Sequence, residues 1–305
     1  MSWFKRLFGR GSGAHEAGLM GRPTPAGPEE IPSIYHVELL FDQTPRWDPD
    51  AVLQAIREHC PSVEAIHEHS DAETMLFAFP EYPVQLKDAV IPAQIAILPT
   101  AKPLVRTDAM TADLEQSWSF PDAKVVVGRC HFTMMLTDLM SSPLEPPVRL
   151  GLFQAALAGI IEAIPATAIH WRTTGQYIDP ARFLAAYHEG GSARFFHGGL
   201  NVRFYQISNS PGDIVMDTLG LASLGLPDIQ CHYRDLDNRE VSAVLGNTAH
   251  YLFEHGDVIA DGHTVEGTTA GSKWRCQHED ALLAPKRVVL DLDPGPPHAA
   301  GGRGR

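Results

Sequence analysis

Short apolar runs alternate along this chain with longer stretches whose apolar residues recur every three to four positions. Residues 35–41 (YHVELLF) read as a strand. Asp48 and Pro49 then supply an N-cap and a first-turn proline. Val52, Ala55, Ile56 and Cys60 keep helical spacing until Pro61. Residues 74–79 and 94–98 are apolar runs bounded by prolines and read as strands. A short helix is expected over 112–118. Residues 123–136 (AKVVVGRCHFTMML) read as one long strand with a bulge at Gly128.

The second half opens on a helix after Pro147. Its stripe of Leu152, Phe153, Ala156, Leu157, Ile160, Ile161 and Ile164 is wide enough to predict deep burial. Residues 168–171 form the next strand, and Asp179 with Pro180 starts another helix that stops at Gly190 and Gly191. Residues 201–207 alternate as a strand. The best-defined helix begins at Asp237 and Glu240, a capping-box pair. It runs through Val241, Val244, Leu245, Thr248, Ala249, Leu252 and Phe253 and ends at Gly256. Beyond it, residues 258–260 and 263–265 flank Asp261-Gly262, a spacing that predicts a two-residue hairpin. A strand over 287–292 ends the fold. Interleaved helices and strands with hairpins and long gaps predict an α+β fold, helices packed on antiparallel or mixed sheets. Two lobes are expected, over 34–145 and 146–293, joined near 140–148.

Residues 1–33 and 294–305 stand apart, rich in glycine and proline and too poor in apolar residues to bury a core. Both read as flexible tails. The first ten residues, MSWFKRLFGR, place Trp3, Phe4, Leu7 and Phe8 on one face if helical, with Lys5, Arg6 and Arg10 elsewhere. Weak peripheral contact with a membrane surface is one reading of that face. No apolar run reaches the ~18 residues of a membrane span, so an integral membrane protein is not expected.

Charge narrows the partners. Lys and Arg number 24 and Asp and Glu 37, a net charge of −13. The two tails carry +1 and +2, which leaves −16 on the residues between them. Such a surface repels phosphate backbones and disfavours nucleic acid, while it suits a basic protein partner. The four cysteines form no CxxC pair and fit a reducing, cytoplasmic setting.

Catalytic signatures are sparse. The chain has no GxSxG elbow, Walker loop or GxGxxG fingerprint, and no cofactor is expected. Cys130-His131 and Cys231-His232 are neighbours on expected strands, so their side chains point to opposite faces. Cys276 and His278 share a face if that segment is a strand. The one polar constellation of interest gathers His250, Glu254, Asp257, His263 and Glu266 at the end of the last helix and the following turn. It would suit a hydrolase or a metal-dependent enzyme. Asp257 and Asp261-Gly262 lack calcium-loop spacing, and the missing motifs weigh against an enzyme.

From Met216 the chain reads MDTLGLASLGLPDIQCHYRDLD, and further on NTAHYLFEHGDVIADGHTVEG. Asp217, Thr218, the LGLxxLGLP block from Leu219 to Pro227, Asp228 and residues 256–267 resemble the signature region of DUF4261, a bacterial domain family. The resemblance covers about residues 205–290. It carries over no reaction and no catalytic residue. Domains of this kind occur in toxin–immunity and secretion-system neighbourhoods, so the resemblance implies an interaction role.

Overall fold

A computed structural model describes residues 34–66, 74–100, 103–104 and 106–301. The chain divides after Asn201 into two compact units. The expectations for Trp3, Phe4, Leu7 and Phe8 lie outside the described residues.

The first unit is built on seven strands: β1 (His36–Phe41), β2 (Glu64–Ala65), β3 (Met75–Gln85), β4 (Val90–Thr100), β5 (Phe132–Leu139), β6 (Ala168–Trp171) and β7 (Gln176–Ile178). They form one antiparallel sheet in the order β2-β3-β4-β5-β1-β6-β7. Among the described residues six α-helices accompany it: α1 (Pro49–His59), α2 (Asp108–Glu115), α3 (Ala123–Gly128), α4 (Pro146–Ala163), α5 (Pro180–Glu189) and the single turn α6 (Ser192–Arg194). The caps work as the sequence predicts. Asp48 accepts from Asp50 N at 3.0 Å, and Asp179 accepts from Ala181 N at 2.8 Å and Arg182 N at 3.1 Å.

Helix α4 is the centre of this unit. Every residue from Leu152 to Ile161 is buried. Phe153, Tyr35 and Trp171 form one edge-to-face cluster, with Phe153 5.1 Å from Tyr35 and 5.9 Å from Trp171 between ring centroids. On another face α4 packs against α1 at Gly159, where a Cβ would stand 2.7 Å from the Ile56 backbone.

Two expectations change here. The expected junction near 140–148 lies inside this unit. Strand β1 pairs with β5 on one side and with β6 on the other, so residues 168–171 complete the sheet begun at His36. The buried ion pair between Arg149 and Asp138, 2.7 Å apart, spans the same stretch. The long strand expected over 123–136 is instead helix α3 followed by β5. Ala123 and Val127 bury against Met110, Phe120 and Leu40. Arg106 donates to the carbonyls of Val127, Gly128 and Cys130, the helix-end groups that lack partners of their own. Those tertiary contacts override the strand preference of three consecutive valines.

The second unit holds β8 (Asn201–Gln206), whose first residue falls before the division, then β9 (Ile214–Leu219), β10 (Asp228–Tyr233), helix α7 (Asn238–His255), β11 (Thr264–Glu266), β12 (Lys273–Asp280) and β13 (Val288–Asp293). The sheet runs β11-β12-β13-β10-β9-β8 and is mixed, since β10 and β13 are parallel. The LGLxxLGLP block makes the turn from β9 to β10, with Gly220 at φ 145° and Gly225 at φ 80°. Asp237 caps α7 through the amides of Arg239 and Glu240, at 2.8 and 3.2 Å.

The hairpin expected at Asp261-Gly262 forms elsewhere. Asp261-Gly262 does make a turn, His263 N donating to Ala260 O at 3.0 Å, but residues 258–260 before it form no strand. The hairpin joins β11 to β12 and closes where Gly267 N donates to Ser272 O at 3.0 Å. The tail expected from residue 294 is docked as far as Gly301. His298 O accepts from Arg234 N at 2.9 Å, Ala299 bridges to Tyr233, and Ala300 is buried.

Candidate functional site

A concavity lies in the second unit, between α7 and β11. Val244, Asn247, Thr248 and Tyr251 present one face of α7 at helical spacing, and the turn after it adds Val258 and Ile259. His263 to Gly267 form the opposite wall. The cleft has a volume of about 690 Å³. Side chains of a strand alternate between faces, so five consecutive lining residues mean that β11 presents its edge. Tyr251 is 46% exposed and Val258 51%, large apolar groups left in water at the mouth of the cleft.

The five polar residues singled out from the sequence divide among three places. His263 and Glu266 line the cleft. His250 and Glu254 pair with each other along α7 at 3.6 Å. Asp257 is held from outside the group, by His278 of β12. The His278 imidazole engages Asp257 at 3.2 Å through Nε2 and Asp261 at 2.8 Å through Nδ1, while its backbone N–H donates to Asp261 at 2.7 Å. Burial alone would lower the imidazole pKa, but the bonds and charges of the two aspartates outweigh it and raise it above 6.5. The same bonds hold the Asp261 carboxyl below its ordinary value. His278 thus ties the turn carrying Val258 and Ile259 to the sheet. Its strand-face relation to Cys276 was legible, and the structure adds Trp274 to that face. Its partners, 17 and 21 residues upstream, were not.

A second cluster in this unit is buried and fully paired. Asp217 accepts from Arg203 at 2.9 and 2.5 Å and from Arg287 at 2.6 Å. Asp228 accepts from Arg287 at 3.0 Å, and from Thr218 Oγ1 and Leu221 N at 3.1 Å each. Both aspartates are fully buried. Two guanidiniums balance two carboxylates, which makes the cluster a neutral brace between β8, β9, β10 and β13.

In the first unit His170 is fully buried between two half-buried carboxylates, Asp113 at 2.8 Å and Glu38 at 3.2 Å, and stacks on Tyr177 at 4.2 Å. Burial would raise the Glu38 carboxyl pKa, but His170 and Arg172 hold it below its ordinary value. Both ring nitrogens are engaged, so the imidazole offers neither a lone pair nor a proton to a substrate. Among the described residues no three His, Cys, Asp or Glu side chains are grouped to hold a metal ion. The four cysteines are buried and in no disulfide, and burial pushes the thiols of Cys60 and Cys276 up to about 11, away from nucleophilic use. No described helix is long and apolar enough to cross a membrane.

The cleft and the ionic brace lie almost wholly within one stretch of chain, and that stretch matches a family model. Residues 217–293 are a DUF4261 domain, a domain of unknown function. No curated protein and no solved structure matches the chain. The DUF4261 domain begins at Asp217 of the brace and ends with β13. It includes α7, β11 and every residue that lines the cleft, while Arg203 reaches the brace from outside it.

Proposed function

We propose that the protein is a cytoplasmic protein-interaction module, an immunity or accessory factor of a toxin or secretion system, and that it engages a basic partner through the cleft between α7 and β11. The observation that carries this reading is the cleft itself. It joins exposed Tyr251 and Val258 to a strand edge, and exposed carboxylates at Glu254, Asp257 and Glu266 lie on or beside its walls. Aromatic anchors within a charged rim are what interfaces use for affinity and steering. The resemblance to domains in toxin and secretion neighbourhoods supports the same reading. A hydrolase or metal site at His250–Glu266 has less support, because those side chains are drawn into three separate groupings.

A photo-reactive benzoylphenylalanine placed at Tyr251 tests it, with the same probe at exposed Val125 of the first unit as control. In native lysate at low salt, Tyr251 is expected to give one discrete adduct with a basic protein. That adduct should fade as salt shortens the reach of the acidic surface to about 8 Å and below. Equal labelling at both positions, or an adduct indifferent to salt, would overturn the proposal.

A further inference from the structure

Among the described strands β11 is the end of its sheet, and its hydrogen-bond phase is defined. Cys276 N donates to His263 O at 2.8 Å and Gly267 N to Ser272 O at 3.0 Å. Residues 263, 265 and 267 therefore turn their main chain toward β12. Bonding alternates along an antiparallel ladder, so Thr264 and Glu266 turn their N–H and C=O groups to the side away from β12. Both residues are exposed. Strand β11 holds neither lysine nor proline, the residues that commonly block an edge against further pairing. An edge of this kind beside a helix-walled cleft is a template for an added strand.

The two faces of β11 specify that strand. Val265 stands opposite buried Trp274 and lines the cleft, so its face is the inner one. Thr264 and Glu266 share the outer face with their ladder partners Arg275 and Lys273, both exposed. An added strand continues this alternation. Its residue opposite Val265 enters the cleft beside Tyr251, Val258 and Ile259, and an apolar side chain suits that place. Its residues opposite Thr264 and Glu266 point outward. Opposite Glu266, a side chain lies about 5 Å from that carboxylate and about 10 Å from Lys273 one strand further in. The nearer charge dominates and the farther one is screened, so a cation is favoured there. Opposite Thr264 no charge is adjacent and Arg275 is about 10 Å away, which suits an uncharged polar residue. Glu254, one turn beyond Tyr251, and Asp257, beside Val258, add negative charge at the mouth. A second copy of the chain would bring the same carboxylates to this edge, and like charges oppose that pairing.

We infer that the edge of β11 binds a short extended segment of a separate basic partner as an added antiparallel strand, with a cation opposite Glu266, an apolar residue opposite Val265 and a serine or threonine opposite Thr264. The antiparallel direction gives the more stable pairing per residue. Main-chain bonds to Thr264 and Glu266 supply affinity, and the alternating side chains supply specificity. The inference rests on the cleft being the partner site proposed above and names the chemistry that the site selects.

Residue-resolved hydrogen exchange on the full chain tests this, with the peptide acetyl-Val-Lys-Val-Thr-Val-amide as probe. At saturation the peptide is expected to slow exchange of the Thr264 and Glu266 amides by roughly tenfold or more. Val265, bonded to β12, should be unchanged. Methylating the lysine and threonine nitrogens of the peptide removes the donors that face the edge and should abolish the protection. Methylating the central valine nitrogen, which faces away from the edge, should leave it. Glutamate in place of the peptide lysine should weaken protection, and Glu266→Lys in the protein should reverse that preference. Unprotected Thr264 and Glu266 overturn the inference, as does protection indifferent to which nitrogens are methylated. Protection that is present without peptide and lost on roughly tenfold dilution also overturns it, and assigns the edge to a second copy. If the peptide leaves the edge unprotected while the Tyr251 probe still captures a basic partner, the cleft is a partner site that takes no added strand. If the protection is as expected and the Tyr251 probe captures nothing, the added strand stands and the reading of a basic partner in the lysate falls.

Discussion

At His278 a single imidazole holds two carboxylates, and the pH response follows from the direction of its shift. Its folded pKa is raised above 6.5 by Asp261 and Asp257. The stabilisation is therefore fully present below 6.5 and is lost as pH rises through the elevated folded value. Histidine-detected NMR titration should find His278 titrating above 6.5, and Asp261→Asn should move it down. Amide exchange in the 256–263 turn should quicken over the same pH interval in the wild type and much less in the variant. A His278 that titrates at or below 6.5 would refute the clamp. The turn carries Val258 and Ile259, so the clamp also sets the wall of the cleft.

Among the elements, α4 shows what patterning can and cannot specify. Its apolar stripe predicts burial, but only packing shows that α1 lies against Gly159. Gly159→Ala places a Cβ against the Ile56 backbone, and overpacking of this kind costs about 1–3 kcal/mol, more than the ~1 kcal/mol gained in helix propensity. Gly151, in the same helix, has open space around it, so Gly151→Ala should be neutral or stabilising by up to ~1 kcal/mol. Urea denaturation of the two variants checks the pair, and equal midpoints would contradict the packing. The helices with aspartate caps at Asp48, Asp179 and Asp237 were legible because capping is local. Helix α3 was not, because Arg106 completes its end from 21 residues away. Strand β9 escaped notice for another reason. Five of its six residues are buried, so it shows no alternation, and its fully buried Asp217 and Thr218 read as polar until their partners are in place. Strand β12 has the opposite fault, with only Trp274 and Cys276 apolar and inward. At the site, Glu266 and His263 were legible as members of a polar stretch. That Tyr251 and Val258 stay exposed depends on the path of the chain after Gly256 and could not be read.

On the scale of the whole molecule, the α+β class followed from interleaved periodicities, but the division of the chain did not, since it depends on which distant strands pair with β1. The same long reach gives Arg287 its weight. It bonds Asp217 and Asp228, 70 and 59 residues earlier in the chain. Arg287→Met leaves two buried carboxylates short of a partner and should cost about 3–5 kcal/mol in urea denaturation. Arg287→Met combined with Asp228→Leu should recover part of that, because the mate of the lost charge goes with it. A single variant as stable as the wild type would show that the brace is dispensable. There is also a consequence for synthesis. The first unit closes its sheet with residues that all precede Asn201, so a growing chain can complete it early. The DUF4261 domain cannot do the same. Strand β10 needs β13 beside it, and the two aspartates need Arg287, so the domain matures only when the ribosome has delivered both. Until then Asp217 and Asp228 carry charge without Arg287, which keeps the half-made domain hydrated and open and delays its commitment to a fold.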